Sequence, residues 1–191
     1  MTLLRLGLSG RGLGFSLIEI LIVAAITVGL TMALVLNFRT SATNRAARHQ
    51  QTAVIVSDIR KAQAQTIAGS QFGGSIVCGF GLHYVDSQSY YLYAKAPVGD
   101  SCVLATFNYA AGDLIVETRT LNNTNMQIQS SFLDIFFRPP DPKTYVNNVA
   151  TLSTPPTTTS INIILKGSSA CTGQTCTTIT ISTSGSIDVS N

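Results

Sequence analysis

From Phe15 to Leu36 the chain runs for 22 residues with a single ionisable side chain, Glu19. As a helix rising 1.5 Å per residue, that run is about 33 Å long, close to the hydrocarbon thickness of a bilayer. So apolar a segment must lie in lipid or against other protein, which leaves the remaining residues to fold as a separate body. Arg5 and Arg11 precede the run and no acid does, a balance that predicts a cytoplasmic N-terminus. Glu19 is the anomaly. A carboxylate at mid-span costs roughly 2.5–3.5 kcal/mol on insertion scales, so it calls for a partner and a purpose.

An ordinary secretory signal has an apolar core of about 7–15 residues and a small-residue cleavage site. This run is longer and has no A-x-A exit. A plain membrane anchor fits the length and leaves the carboxylate unexplained. The stretch "GFSLIEILIVAAI" resembles the class III leader of type IV prepilins and type II secretion pseudopilins. The resemblance rests on Gly14, Phe15, Leu17, Ile18 and Glu19 in register, behind a short basic leader. It implies cleavage after Gly14 by a prepilin peptidase, N-methylation of Phe15, and retention of the apolar helix. It also implies a role for Glu19 in assembly, where its carboxylate attracts the N-terminal amine of a neighbouring subunit. An ion pair in a low dielectric is strong, and removing one side of it is costly.

Composition agrees with an exported head. Only 11% of residues are charged, against about 25% in typical soluble domains, and Thr, Ser, Asn and Gln supply the polarity. The net charge of +3 falls to +1 (+3 minus 2) if Arg5 and Arg11 leave with a leader. No global excess of charge points to nucleic acid. Four cysteines, Cys78, Cys102, Cys171 and Cys176, all follow the apolar run. An even count on the outer side predicts two disulfides. Of the three pairings, Cys171–Cys176 and Cys78–Cys102 are favoured. The first closes the short loop "CTGQTC" and the second joins two early strands. Zinc is a weaker alternative, because the x4 spacing of "CTGQTC" sits at the edge of the ligand range and the other two cysteines have 23 residues between them, and free thiols are the third possibility.

Residues 37–68 contain no Pro and no Gly, and Thr52, Ile55, Val56, Ile59, Ala62 and Thr66 recur at helical spacing. Helix is therefore expected from Phe15 to about Ala68, with one amphipathic face. "RAARHQ" reads as a solvated stretch of it, and Arg45, Arg48, Asp58, Arg60 and Lys61 fall mostly outside the apolar stripe. After Gly74 the period shortens. "SIVCGFGLHYV" and "SYYLYAK" around "DSQ" read as a hairpin, with Tyr84, Tyr90, Tyr91 and Tyr93 as packing residues and His83 on the strand surface. "CVLATFNY", "DLIVETRTL", "MQIQSSFLDIFF" and "SINIILK" are further strand candidates. A loop around "RPPDPK" and the run "TLSTPPTTTS" mark a long exposed connection near 139–160. "TTITIS", then "TSG", then "SIDV" closes the chain as a hairpin with Ile179, Ile181, Ile187 and Val189 on one face.

The expected architecture is α+β: a leader over 1–14, a membrane or filament-core helix over 15–36, its amphipathic half over 37–69, and a β-rich head over 70–191. This order resembles the GspH/FimT branch of pseudopilins and minor pilins, as do "DIFFRPP", "INIIL" and the terminal "ITIS–SG–SIDV". Asp141 and Pro142 stand where members of that branch often carry Gly. The resemblance implies a structural subunit of a type IV pilus or type II secretion pseudopilus, a minor pilin or pseudopilin that primes or caps the filament. It implies as partners other pilins, the prepilin peptidase and an inner-membrane assembly platform. It implies as location the bacterial inner membrane, with a single pass and a periplasmic head.

DNA binding, as in some FimT-like pilins, is the alternative, and Arg138 with Lys143 would have to carry it. No cofactor is expected. No nucleophile motif, P-loop, HExxH or dinucleotide fingerprint suggests an enzyme, and Asp86, Asp113, Glu117 and Asp134 read as turn and surface residues.

Overall fold

The computed structural model describes residues 16–69, 71–99, 101–103, 106–130, 133–139, 143–147, 158–168, 171 and 175–190. The chain divides into two compact units, 1–42 and 43–191. In the first, the described residues from Leu17 onward belong to helix α1 (Leu17–Ala68). Its segment Leu17–Val35 has a mean hydropathy of 2.4 and is long and apolar enough to cross a membrane. Thr27 and Thr31 do not interrupt that character. Their hydroxyls donate to the carbonyls of Val23 and Thr27, at 3.0 and 2.9 Å, one turn back, so neither needs water.

The second unit is a mixed α+β body in which the later part of α1 packs on antiparallel sheets. The small ladder β1 (Gln71–Phe72) and β2 (Ser75–Ile76) follows the helix. Next come β3 (Phe80–Asp86), β4 (Ser89–Ala94), β5 (Leu114–Thr120), β6 (Met126–Ser130), β7 (Asp134–Arg138) and β8 (Lys143–Val146). The last three are β9 (Thr158–Leu165), β10 (Cys176–Ser182) and β11 (Ile187–Ser190). A five-stranded sheet has the order β5-β4-β3-β7-β8, and a four-stranded sheet has the order β11-β10-β9-β6.

The predicted helix face is the buried one: Thr52, Ile55, Val56, Ile59, Ala62 and Thr66 are all at most 9% exposed. Ile55, Val56, Ile59 and Ala62 join Leu82, Leu92, Ile135 and Phe137 from one sheet and Ile161, Ile163, Ile179 and Ile181 from the other in a single core. Alternation along each strand explains the membership, because every second side chain faces the same way. In the closing hairpin, Ile179 opposes Val189 and Ile181 opposes Ile187. The four share a face as expected, although Val189, on the edge strand, is 48% exposed.

Two strand expectations need correction. "CVLATFNY" forms no strand in its described residues apart from the neighbouring Val98–Ser101 bridge. Side chains bond its backbone instead: Tyr93 Oη donates to the Phe107 carbonyl, Lys95 Nζ donates to that of Asn108, and Asp134 accepts from Tyr109 N. "MQIQSSFLDIFF" is not one strand but two, β6 and β7, in different sheets. The connection expected near 139–160 is also corrected: Lys143–Val146 forms β8 with Thr144, Tyr145 and Val146 buried, β9 already begins at Thr158, and residues 140–142 and 148–157 lie outside the described residues.

Candidate functional site

Glu19 lies in the first turn of α1 and is exposed, as are the apolar side chains around it. Ser16 opens the helix, and its carbonyl accepts from the amides of Glu19 (2.9 Å) and Ile20 (3.2 Å). An acid in a first turn gains about 0.3–1 kcal/mol from the helix dipole. That is less than a carboxylate costs inside hydrocarbon, so local helix chemistry alone does not account for Glu19. Gly14 and Phe15 lie outside the described residues.

Within the second unit, a charged clasp joins α1 to the five-stranded sheet. Asp58, on the helix and 3% exposed, accepts from Arg119 Nε at 3.0 Å and Nη2 at 3.2 Å. It also accepts from the Tyr90 hydroxyl at 2.7 Å. Arg119 Nη1 reaches Glu117 at 2.9 Å, and Glu117 holds Lys61 at 3.0 Å. Burial and then the hydrogen bond to Asp58 push the Tyr90 hydroxyl far above its ordinary range. The hydrogen bonds to Asp58 are the main reason the Arg119 guanidinium shifts upward. Beside this clasp lies an open groove of about 430 Å³, lined by Gln50, Ser57, Asp58, Tyr90, Arg119 and Asn122 among others. Asp58 is therefore not a helix-surface residue as the sequence suggested.

The outer face of the five-stranded sheet is also covered. Tyr93, Phe136 and Tyr145 are buried there, with Phe107 and Tyr109 packed against them. The Phe107 and Tyr145 rings stack at 3.8 Å between centroids, and the Arg138 guanidinium lies 5.7 Å from the Phe107 centroid. His83 Nδ1 is 2.9 Å from Asp134 Oδ1, and the ring packs on Tyr109 at 4.7 Å. Asp113 accepts from Lys95 Nζ at 2.8 Å. Asp113 and Asp134 are thus buried tethers for residues 106–113, correcting the reading of both as surface carboxylates. Asp86 is a turn residue, its carboxylate accepting from Gln88 N at 2.7 Å. The tyrosines are divided by strand parity: Tyr90 faces the helix, whereas Tyr93 lies in the outer layer.

The cysteines pair as Cys78–Cys102 and Cys171–Cys176. No group of three His, Cys, Asp or Glu side chains able to hold a metal ion occurs among the described residues. His49 is exposed on α1. Arg138 and Lys143 are register partners across β7 and β8. Arg48, expected on a solvated helix face, is instead 5% exposed. No family model, curated protein or solved structure matches the chain.

Proposed function

We propose that the chain is a membrane-anchored structural subunit of a helical filament, of the type IV pilin kind. Within that class we read it as a minor pilin or pseudopilin of the GspH/FimT type, serving a pilus or a type II secretion pseudopilus. The observation that carries the reading is Glu19, the one ionisable group in the apolar run, exposed in the first turn of the helix. Before assembly the apolar half of α1 anchors the subunit in the inner membrane, with the head periplasmic. Prepilin peptidase cuts after Gly14, Phe15 becomes the methylated N-terminus, and the assembly platform feeds the subunit to other pilins. Burial of the apolar surface drives the association. Glu19 sets register by pairing with a neighbour's N-terminal amine, an interaction worth most where water is excluded. A Glu19→Ala chain should reach the membrane and fail to enter the filament or its priming complex; incorporation at wild-type levels would refute the mechanism.

A second reading, DNA binding by the head, draws on the pairing of Arg138 opposite Lys143, which sets two cations side by side on one hairpin. Two phosphate contacts give a slope of only about −1.8 in log affinity against log salt. Duplex retention by the intact chain, weakened by substituting both residues, would favour this reading over a purely structural one.

A further inference from the structure

The five-stranded sheet ends at β5, and the phase of its ladder tells which backbone groups are left over. Leu121 N donates to the Gln88 carbonyl at 2.8 Å, in the register that sets Thr120 opposite Ser89 and Thr118 opposite Tyr91. Hydrogen-bonded and non-bonded pairs alternate along an antiparallel ladder. Counting back from Leu121, Arg119 and Glu117 aim their backbone groups at β4, whereas Thr120 and Thr118 aim theirs away from the sheet. Among the described residues no backbone group bonds Thr118 or Thr120 from that side. Both residues are exposed. The open groove of about 430 Å³, lined by α1 on one side and by Arg119 and Thr120 on the other, leaves space at this end of the strand.

An unpaired edge is a template for another strand, and Pro or Lys on the edge blocks it. The sequence of β5, LIVETRT, contains neither. Its charges favour a strand of its own kind. Pairing β5 antiparallel with itself about a two-fold axis at Thr118 sets each Glu117 opposite Arg119 of the second copy. In that ladder the two form a non-bonded pair, the kind with the closer side chains, and opposite charges there are stabilising. Moving the axis to Glu117 or to Arg119 puts like charges opposite each other, which is destabilising. The clasp of Asp58, Lys61, Glu117 and Arg119 has no net charge, so two copies meet there without net repulsion.

We infer that β5 is a self-association edge, to which a second copy of this chain adds its own β5 antiparallel, centred on Thr118. Main-chain bonds from Thr118 and Thr120 supply the attraction, and the Glu117–Arg119 exchange sets the register. A pairing this short buries less than the roughly 1,200–2,000 Å² of a stable interface, so the contact is transient and is best trapped covalently. The inference does not rest on the filament reading, since it concerns an edge of the head alone and makes no use of Glu19.

The test is site-directed cross-linking of the full chain in a maltoside detergent, with copper–phenanthroline as oxidant and the dimer read by non-reducing electrophoresis. Cα atoms of a hydrogen-bonded antiparallel pair lie about 5.5 Å apart, within reach of a disulfide. Two copies of residue 120 are offset by four residues, about 14 Å along the strand, which is out of reach. Thr118→Cys should therefore form a covalent dimer roughly tenfold faster than Thr120→Cys. Adding Thr120→Pro to the Thr118→Cys chain removes one outward N–H per copy and nothing from the β4–β5 ladder, a place where an edge strand tolerates proline. It should slow the cross-link several-fold while leaving the thermal unfolding midpoint of the head close to that of the parent chain. Equal rates at the two positions would mean random collision between micelles and would overturn the inference. So would the absence of dimer from Thr118→Cys, or a rate that the proline leaves unchanged.

Discussion

Arg119 grips Asp58 through two nitrogens, at 3.0 and 3.2 Å, and so fastens the helix to β5, an edge strand of the five-stranded sheet. The two ends of that grip differ in exposure: the Arg119 side chain is 36% exposed and the Asp58 side chain 4%. Arg119→Ala would strand a buried carboxylate and should cost about 3–5 kcal/mol. Asp58→Ala leaves a cation that can rehydrate, and should cost about 1–3 kcal/mol. Denaturant unfolding of the two variants checks the order, and equal losses would mean that the clasp is not asymmetric.

Alkaline pH should loosen the head through two tyrosines. Burial raises the Tyr90 and Tyr93 hydroxyls well above the ordinary tyrosine value, helped by Asp58 at the first and by the charges of Asp134 and Asp113 at the second. Below about pH 10 neither state releases these protons, so they add no pH dependence. Above it the unfolded chain loses both while the folded chain keeps them. Stability should then fall by about 2.7 kcal/mol per pH unit, or 1.36 for each proton. Tyr90→Phe and Tyr93→Phe should each remove about half of that slope in unfolding measured between pH 10 and 11.5.

The disulfide Cys78–Cys102 closes a loop with a sequence separation of 24, whereas Cys171–Cys176 closes one of 5. Chain entropy favours the longer closure. Replacing Cys78 and Cys102 by serine should cost about 3 kcal/mol. The same change at Cys171 and Cys176 should cost less, as read from unfolding midpoints.

Gly81 permits the outer aromatic layer to lie flat on β3. A Cβ there would stand 2.5 Å from the Ile135 carbonyl oxygen and 2.8 Å from the Tyr93 ring. The carbonyl belongs to the β3–β7 ladder and cannot retreat cheaply. Gly81→Ala should therefore destabilise by about 1–3 kcal/mol and perturb tyrosine fluorescence. A neutral substitution would show that the sheet has slack at this point.

The helix stripe was legible because Ile55, Val56 and Ile59 are apolar at helical spacing, and no competing pattern overlaps them. The β3–β4 and β10–β11 hairpins were legible for the corresponding reason, with period-2 alternation on either side of short turns. What the sequence concealed were the charges that burial makes structural. Asp58 and Arg119 are 61 residues apart, and His83 and Asp134 are 51 apart, so neither pair leaves a local signal. "CVLATFNY" carries the apolar, aromatic composition of a strand. Its backbone is held by Tyr93, Lys95 and Asp134 from the sheet beneath, a tertiary arrangement that propensity does not register. Glu19 was conspicuous in the sequence, since a carboxylate in a 22-residue apolar run stands out before any fold is known.

The central claim of the proposal is that the apolar helix is an assembly element retained in a mature chain whose first residue is Phe15. Intact-mass and N-terminal fragment analysis of the chain, co-expressed with a prepilin peptidase, tests it most directly. The account predicts a mature protein starting with N-methylated Phe15 and keeping Glu19 and the whole of α1. A chain still starting at Met1, or one cut beyond Leu36, would contradict it.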